Sequence, residues 1–509
     1  MILIIDFGSQ YNLLIARRVR EHKVFCHIEP PTVSIDHIRE LKPKGIILSG
    51  GPASIYDDMS PKIDPQIFEL NIPVLGICYG MQYMVHALGG HVKKAQKREY
   101  GFAQLAISNS RHFFEGIELN TTVWMSHGDT IDQLPNHFQI TASTVNTTAA
   151  AISHIEKSIY GVQFHPEVDH TPLGKHMLEN FIFQICQCEQ SWTMNIFIQQ
   201  SIEQIQHTVG DKHVILGLSG GIDSTVTAVL LHRALGAQLT CIFIDNGLLR
   251  QNEGSQLQKT FSEHLKLTIR YKDASEEFLQ ELHGITDPEQ KRKIIGKKFI
   301  EVFEQEAETI RDADFLAQGT LYPDIIESIS AFGGPSSTIK SHHNVGGLPQ
   351  HMKLKLIEPL KYLFKDEVRI LGKELGLPDD LVWRQPFPGP GLAIRIIGEI
   401  THKRLDVLRK ADKLLIEEIK KNGLYQSLWQ SFAVLLPIKS VGVMGDQRTY
   451  ESTIVIRAVT SKDAMTADWA RLPHELLATI SNRIINEVQG INRVVYDISS
   501  KPPATIEWE

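Results

Sequence analysis

The chain has 509 residues, of which 42% are hydrophobic and 22% are charged, and this length predicts two to four domains because it exceeds what one core supports. The net charge of −7 gives no support for a nucleic-acid or membrane partner, and no apolar run approaches the roughly 18 residues of a membrane span. The five scattered cysteines do not make a disulfide framework, so we expect a cytoplasmic protein.

The first region, residues 1–188, alternates short apolar runs with amphipathic stretches. The amphipathic stretches predict helices near residues 9–22 and 79–88. The apolar runs predict buried strands at Ile2–Ile5, 24–27, Gly45–Leu48 and Val74–Ile77. Because buried strands that alternate with helices are typical of parallel sheets, we predict a doubly wound α/β domain here.

Cys78 lies at the centre of the sequence Gly-Ile-Cys-Tyr-Gly, between a predicted strand and a predicted helix. This pattern is the strand–turn–helix elbow that presents a nucleophile. The flanking glycines relieve crowding in the turn, and the helix N-terminus favours the thiolate. A free cysteine is more often a small buried apolar residue, but both glycines and their context favour a nucleophile.

A thiolate nucleophile needs a base and a carboxylate that orients the base. His165 and Glu167 supply both in the sequence Gly-Val-Gln-Phe-His-Pro-Glu. The chain has 22 histidines, so the pair is far more specific than a single histidine. Together with the elbow, it resembles the class I glutamine amidotransferases. The resemblance implies that Cys78 attacks glutamine and that water then releases glutamate after ammonia has left.

The same resemblance extends to three further residues. It implies that the backbone N–H groups of Gly51 and Tyr79 form an oxyanion hole. It also implies that Gln82, one helical turn beyond the nucleophile, faces the substrate. The alternative for Gly51, which lies in Ser-Gly-Gly-Pro, is a plain turn.

The second region, residues 189–384, repeats the α/β pattern around a glycine-rich loop. The loop follows the apolar run 214–218 and consists of Ser219, Gly220, Gly221, Ile222, Asp223, Ser224 and Thr225. A strand, a glycine turn and a helix direct backbone N–H groups at an anion, and the hydroxyls add donors. The loop has no lysine for a γ-phosphate, but Asp223 is an oxygen ligand suited to Mg²⁺. The alternative is a surface turn in which Asp223 or Ser224 caps the helix.

The loop resembles the pyrophosphate loop of the ATP-pyrophosphatases, which cleave ATP between its α- and β-phosphates. We therefore predict a second doubly wound domain with its ligand at the carboxyl ends of the strands. Asp245 follows the predicted strand 241–244 and is expected at that edge. Asp245 could contact ribose or a metal ion there, or it could cap a helix, and the sequence does not distinguish these roles.

The third region, residues 385–509, has a different pattern. Long helices are predicted near 402–421 and 473–487, and β-rich runs occur at 453–459 and 493–498. The mixture predicts a smaller, separate α+β domain. The expected fold is thus two consecutive doubly wound α/β domains followed by an α+β domain.

Four segments resemble the glutamine-hydrolysing GMP synthetases: residues 316–324, 340–347, 386–392 and 501–509. The resemblance implies a ligase that adenylates XMP with ATP, releases pyrophosphate, and displaces AMP with ammonia from glutamine. It implies Mg²⁺ as cofactor, with Asp223 as a ligand, and a homodimer formed through the third domain.

Three residues are expected to bind XMP. Arg250 follows the strand 241–244, while Lys501 and Glu507 lie in the terminal segment and match positions in the family that contact phosphate and the purine edge. The loop 386–391 is rigid and suits a phosphate, although it also reads as a linker. The segment 340–347 could close as a lid, and its residues Lys340, His342 and His343 have no assigned role.

Two other functions are compatible with parts of this pattern. Another glutamine-dependent adenylating enzyme, such as an NAD synthetase, would have the same two sites but would adenylate a different substrate. The third region and the terminal Lys-Pro-Pro-Ala-Thr-Ile-Glu-Trp-Glu argue against it. A regulatory protein that binds nucleotide without turnover is disfavoured because both sets of catalytic residues are intact.

Overall fold

A computed structural model describes the chain at residues 1–9, 11–57, 59–310, 313–328, 354–444, 446–461 and 464–509. These residues form two compact units. The first contains Met1–Phe197 with residues 323–328, and the second contains Ile198–Tyr322 with the described residues from 354 onward. The segment with Lys340, His342 and His343 lies outside the described residues. No helix in the described ranges is long and apolar enough to cross a membrane.

The first unit is built on one mixed sheet of nine strands. The strands are β1 (Ile2–Ile5), β2 (Cys26–Glu29), β3 (Gly45–Leu48), β4 (Val74–Ile77), β5 (His91–Ile107), β6 (Asn120–Gln133), β7 (Phe138–Ser143), β8 (Ala151–His154) and β9 (Ile159–Val162). The helices are α1 (Asn12–Glu21), α2 (Ile35–Leu41), α3 (Tyr79–Ala87) and α4 (Gly174–Glu179). Strands β2, β1, β3, β4 and β9 run parallel in that order, and β8, β7, β5 and β6 continue the sheet antiparallel.

The parallel half follows from its apolar runs. Every residue of β1, β3 and β4 is buried, as expected for strands covered on both faces. The strand predicted at 24–27 lies at Cys26–Glu29 because its parallel pairing with β1 begins at Cys26. The antiparallel half was not predicted, because β6 alternates buried with more exposed residues and so contains no continuous apolar run.

The second unit contains a parallel sheet of five strands in the order β12, β11, β10, β13, β14. These strands are β10 (His213–Leu218), β11 (Leu239–Asp245), β12 (Ile269–Asp273), β13 (Ala313–Ala317) and β14 (Lys355–Ile357). The helices along this part of the chain are α5 (Met194–Val209), α6 (Ile222–Leu235), α7 (Glu253–Lys259), α8 (Ser275–Glu281), α9 (Pro288–Glu308), α10 (Tyr322–Ser328), α11 (Lys365–Glu374) and α12 (Asp379–Val382). The strand order reverses between β10 and β13, which places the loop after β10 at a switch point where such sheets bind ligands.

The C-terminal part adds a second sheet to this unit. Helix α13 (His402–Lys421) precedes β15 (Gln430–Met444), β16 (Gln447–Thr460) and β17 (Asp468–Trp469), and α14 (His474–Glu487) precedes β18 (Ile491–Tyr496). Strands β15, β16 and β17 are antiparallel neighbours, and β18 lies parallel to β16. The predicted fold class, two α/β parts and an α+β part, is confirmed. Ile215 of β10 and Leu405 of α13 belong to one hydrophobic core, and the domain boundary near 385 stays a prediction.

Candidate active sites

Cys78 occupies a strained turn between β4 and α3. Its backbone has φ 52° and ψ −106°, a region that residues with a side chain rarely adopt. Its N–H donates to the carbonyl of Val162 on β9 at 2.8 Å, which holds the turn against the sheet. The flanking glycines are needed because a Cβ on Gly80 would lie 2.4 Å from the carbonyl oxygen of Leu48, and one on Gly76 would lie 2.7 Å from the amide nitrogen of Met81.

Replacing Gly80 with alanine is expected to destabilise the first unit by about 3 kcal/mol, since the added methyl meets backbone that cannot move independently. The control is Gly296→Ala in α9, where nothing lies within 4 Å of the added Cβ and the change should stabilise by about 0.5–1 kcal/mol. Differential scanning calorimetry of both variants measures the effect. A Gly80→Ala protein that unfolds at the wild-type temperature would show that the elbow is not tightly packed.

His165 and Glu167 form a buried pair. The Nδ1 atom of His165 lies 2.8 Å from Oε1 of Glu167, and the two residues are 4% and 0% exposed. Burial disfavours the charged imidazole, but the charge of Glu167 and the bond to Cys78 outweigh it and raise the pKa of His165 well above its ordinary value. Tyr11 packs edge-on against the ring at 5.1 Å between centroids. The arrangement therefore favours an imidazolium beside Cys78.

This raised pKa predicts a pH-dependent stability. The pKa of His165 is higher in the folded protein than in the unfolded chain, so its protonation stabilises the fold. This contribution is fully present below about pH 6.5, the ordinary pKa of histidine, and is lost as the pH rises through the pKa of the folded state. Glu167→Gln removes the main charge that favours the imidazolium. The calorimetric difference in melting temperature between wild type and Glu167→Gln should therefore shrink as the pH rises from neutral to alkaline. A difference that stays constant over that range would exclude an imidazolium–carboxylate pair.

One amide side chain contacts the sulfur of Cys78, and a second bonds to the first. Gln163 Nε2 is 3.5 Å from the sulfur of Cys78, and its Oε1 accepts a bond of 3.2 Å from Gln82. Gln82 also donates to the carbonyl of Asp129 at 3.3 Å. The predicted substrate-facing amide of Gln82 is thus engaged with Gln163, and Gln163 is the amide that reaches the nucleophile.

Gly51 lies close to the side chain of Tyr79. A Cβ on Gly51 would lie 3.4 Å from the Tyr79 ring and 2.8 Å from the carbonyl oxygen of Phe7, so only glycine fits. The Tyr79 hydroxyl donates to the carbonyl of Pro61 at 2.7 Å, which points the side chain away from the turn. Their role as oxyanion donors stays a prediction.

The glycine-rich loop of the second unit is held by its own hydroxyls. Gly220 has φ +73°, and α6 begins at Ile222 with Gly221 as its cap, so neither Asp223 nor Ser224 caps the helix. The hydroxyls of Ser219 and Ser224 lie 3.0 Å apart. Thr225 is 0% exposed and donates to the carbonyl of Gly221 at 2.8 Å. Thr225 therefore stabilises the turn from its buried side, while Ser219 is exposed and Ser224 is half-buried.

Asp223 is paired with a lysine that sequence reasoning missed. Lys365, the first residue of α11, places Nζ 2.7 and 2.5 Å from the two carboxylate oxygens of Asp223. In the described ranges no group of three or more His, Cys, Asp or Glu could hold a metal by itself. Asp223 still fits Mg²⁺, because this ion is commonly held by one or two carboxylates together with substrate phosphates.

Further charged residues lie at this loop and at the end of β11. Arg384 donates to the carbonyl of Gly220 at 2.6 Å and contacts Glu253. Burial and the nearby Arg250 lower the pKa of Arg384 to about 10. Asp245 accepts from the Tyr271 hydroxyl at 2.8 Å and from the N–H of Gly247 at 2.9 Å, so its carboxylate stabilises the turn that follows β11. A cavity of about 410 Å³ opens beside these residues, lined also by Arg409 and Lys410.

The three predicted XMP residues have different surroundings. Arg250 lies 3.1 Å from Asp412 and 5.3 Å from the Phe387 ring centre, next to the loop 386–391. Glu507 receives two bonds from Arg395, whose guanidinium also lies 5.1 Å from the Phe387 ring centre. Lys501 donates instead to the carbonyl of Ala464 at 2.8 Å. Arg250 and Arg395 thus both lie against the ring of Phe387, and Glu507 is held there by Arg395. Lys501 lies in another part of the terminal segment, at Ala464.

Three family models match successive parts of the chain. They are glutamine amidotransferase class-I over residues 3–185, NAD synthase over 195–291 and GMP synthase C terminal domain over 417–508. A GMP synthase (glutamine-hydrolyzing) from Brachyspira hyodysenteriae is 59% identical over 508 residues, covering 100% of this chain and 99% of that protein. The chain belongs to the glutamine-hydrolysing GMP synthase family. Relatives with the same name from Heliobacterium modesticaldum and Bacillus velezensis are each 57% identical over 509 residues, covering 100% of this chain and 99% of each relative.

Within this family member, sequence reasoning missed three side chains that the structure places at the sites. Gln163 lies in the same motif as His165, so its position two residues before the base could have indicated it. Lys365 and Arg395 are distant in sequence from Asp223 and Glu507, and no local pattern indicated either contact.

Proposed function

We propose that this chain makes GMP from XMP, ATP and glutamine, with ammonia generated in the first unit and used in the second. It is a ligase that forms a carbon–nitrogen bond and converts ATP to AMP and pyrophosphate. The observation that supports this most directly is full-length identity of 59% to a named GMP synthase together with a nucleophile elbow and an anion loop in one chain. Glutamine, ATP and XMP are its substrates.

In the glutaminase half, the Cys78 thiolate attacks the side-chain carbonyl of glutamine. His165 holds the proton that the departing ammonia needs, and Glu167 fixes the ring through its Nδ1. The N–H groups of Gly51 and Tyr79 receive the oxyanion. Ammonia leaves, and water then hydrolyses the γ-glutamyl thioester to glutamate.

In the adenylating half, O2 of XMP attacks the α-phosphate of ATP and pyrophosphate leaves. The Ser219 and Ser224 hydroxyls and the N-terminus of α6 receive the pyrophosphate. Mg²⁺, when bound, neutralises charge on this leaving group. Asp223 would hold the ion, and Lys365, which pairs with Asp223, would supply positive charge for the phosphates. Ammonia then attacks C2 of the adenylated base, and AMP departs.

XMP is proposed to lie near the loop 386–391. Glu507 accepts an N–H of the purine, Lys501 supplies positive charge for its phosphate, and Arg250 contacts the nucleotide beside this loop. Cation–π contacts around Phe387 keep Arg250 near this loop. In this proposal, these residues determine that XMP is the nucleotide that is adenylated.

A homodimer in the cytoplasm is the proposed state of the protein. Strands β15 and β16 expose several large apolar side chains, among them Ile438 (57% exposed), Val443 (72%) and Tyr450 (67%). An apolar surface of this kind is typical of a protein–protein contact. Sedimentation at micromolar concentration tests it, and a monomer would remove this part of the proposal.

The acceptor is tested by comparing two nucleotides. The NAD synthase model matches residues 195–291, so deamido-NAD is the competing acceptor. Pyrophosphate release should require XMP and should stay at background with deamido-NAD, with ammonium as the nitrogen source in both reactions. Release with deamido-NAD and not with XMP would overturn the assignment.

A further inference from the structure

Arg395 is a fully buried cation in the second unit, with 0% of its surface exposed. It ends the short 3₁₀ helix Gly391–Arg395, which follows the loop 386–391. Its guanidinium lies 4.0 Å from the ring centre of Phe432 and 5.1 Å from that of Phe387. Cation–π contacts with two aromatic rings hold the plane of the guanidinium in place.

The guanidinium forms a fork on the carboxylate of Glu507. Nε donates to Oε2 at 3.1 Å, and Nη2 donates to Oε1 at 2.8 Å. Gln430 Nε2 adds a bond of 2.7 Å to Oε1. A carboxylate has about four acceptor positions, so the N–H donors in the described part of the chain leave one position open, on Oε2. Arg395 and Gln430 therefore hold the carboxylate of Glu507 in one orientation, in which Oε2 can accept one more hydrogen bond.

Anchoring of the chain terminus is the simpler explanation for this fork. A second buried pair already provides that anchor two residues further on. Lys291 is 0% exposed, contacts the carboxylate of Glu509, and donates to the carbonyl of Ile396 at 2.7 Å. Buried ion pairs are also a weak source of stability compared with apolar packing. The fork on Glu507 is better explained by the orientation of its carboxylate.

We propose that Arg395 is a positioning residue that fixes Glu507 so that Oε2 accepts a ring N–H of the xanthine base. The inference rests on the proposed function, which assigns Glu507 to the purine edge. Xanthine carries ring N–H donors that match a fixed acceptor. The adenine of ATP or AMP presents an unprotonated ring nitrogen at the equivalent edge, and two facing acceptors repel, so the same device favours XMP over adenine nucleotides.

The test compares Arg395→Lys, which keeps the charge and loses the fork, with Glu509→Gln, which removes only the second anchor. Initial rates are measured with ammonium while XMP or ATP is varied, and melting temperatures are recorded for both variants. Arg395→Lys should raise KM for XMP about 10–100-fold, the effect of losing a charge-assisted bond, with KM for ATP within about twofold of wild type. Glu509→Gln should lower the melting temperature and leave both KM values unchanged.

A wild-type KM for XMP in Arg395→Lys would overturn the proposal, as would an equal rise in Glu509→Gln. If Arg395→Lys does not fold, Gln430→Met serves in its place. It removes one donor from Glu507 and should raise KM for XMP by about tenfold, and an unchanged KM would likewise overturn the proposal. Wild-type protein that forms no GMP from XMP would instead refute the proposed function, so the two failures are distinguishable.

Discussion

Cys78→Ala is expected to lower glutamine-driven GMP formation by about 10⁴-fold or more, while ammonium-driven formation stays within about twofold of wild type. The reason is that Cys78 forms the covalent bond to glutamine in the proposed mechanism, whereas free ammonia enters after that step. The measurement is the initial rate of GMP formation with each nitrogen source at saturating XMP and ATP. The variant should also fold normally, because alanine removes only a sulfur from a buried turn.

A matched control is Cys186→Ala in the same unit. Cys186 is also buried, and burial raises the pKa of its thiol, so it stays protonated and inert. This variant should keep both the glutamine-driven and the ammonium-driven rates. If Cys78→Ala loses both rates while Cys186→Ala keeps them, Cys78 does more than release ammonia, and the division of labour between the two units is wrong.

Lys365→Met is expected to lower pyrophosphate release from ATP and XMP by about 10²–10³-fold, the size of losing one preorganised charge at a phosphate. The loop 219–225 contains no lysine of its own, and Lys365 is the cation that touches its carboxylate. Glutamine hydrolysis measured without nucleotides should remain. Calorimetric binding of pyrophosphate without added metal gives a second readout, and it should weaken in the variant.

Lys373→Met is the matched control for this prediction. Lys373 lies on the same helix, α11, and its Nζ is 3.7 Å from Asp379, an exposed pair of little energetic weight. The control should retain pyrophosphate release and pyrophosphate binding. Wild-type release in Lys365→Met would show that the lysine only neutralises Asp223 in the nucleotide-free protein.

The local arrangements that the sequence predicted are those whose residues are close along the chain. The elbow around Cys78 combines a strand, a turn and a helix within a few residues, so its glycines could be interpreted locally. His165 and Glu167 are two residues apart and form the expected pair at 2.8 Å. The buried parallel strands were also predicted, because a strand covered on both faces is a continuous apolar run.

Contacts between distant residues could not be predicted in this way. Lys365 meets Asp223 across 142 residues, and Arg395 meets Glu507 across 112, so neither pair leaves a local pattern. The antiparallel strand β6 was missed because one of its faces is more exposed, which removes the apolar run. The hydroxyls of the loop 219–225 were all predicted to donate to an anion. The hydroxyl of Thr225 instead donates to the carbonyl of Gly221, because Thr225 lies on the first turn of α6.

The most direct test of the central claim follows nitrogen from glutamine into the product. The protein is incubated with XMP, ATP and glutamine labelled with ¹⁵N in its side-chain amide, and products are quantified by chromatography and mass spectrometry. We predict labelled GMP, with one glutamate, one AMP and one pyrophosphate formed for each GMP. Formation of ADP and phosphate, or of GMP without the label while glutamine is consumed, would contradict the account.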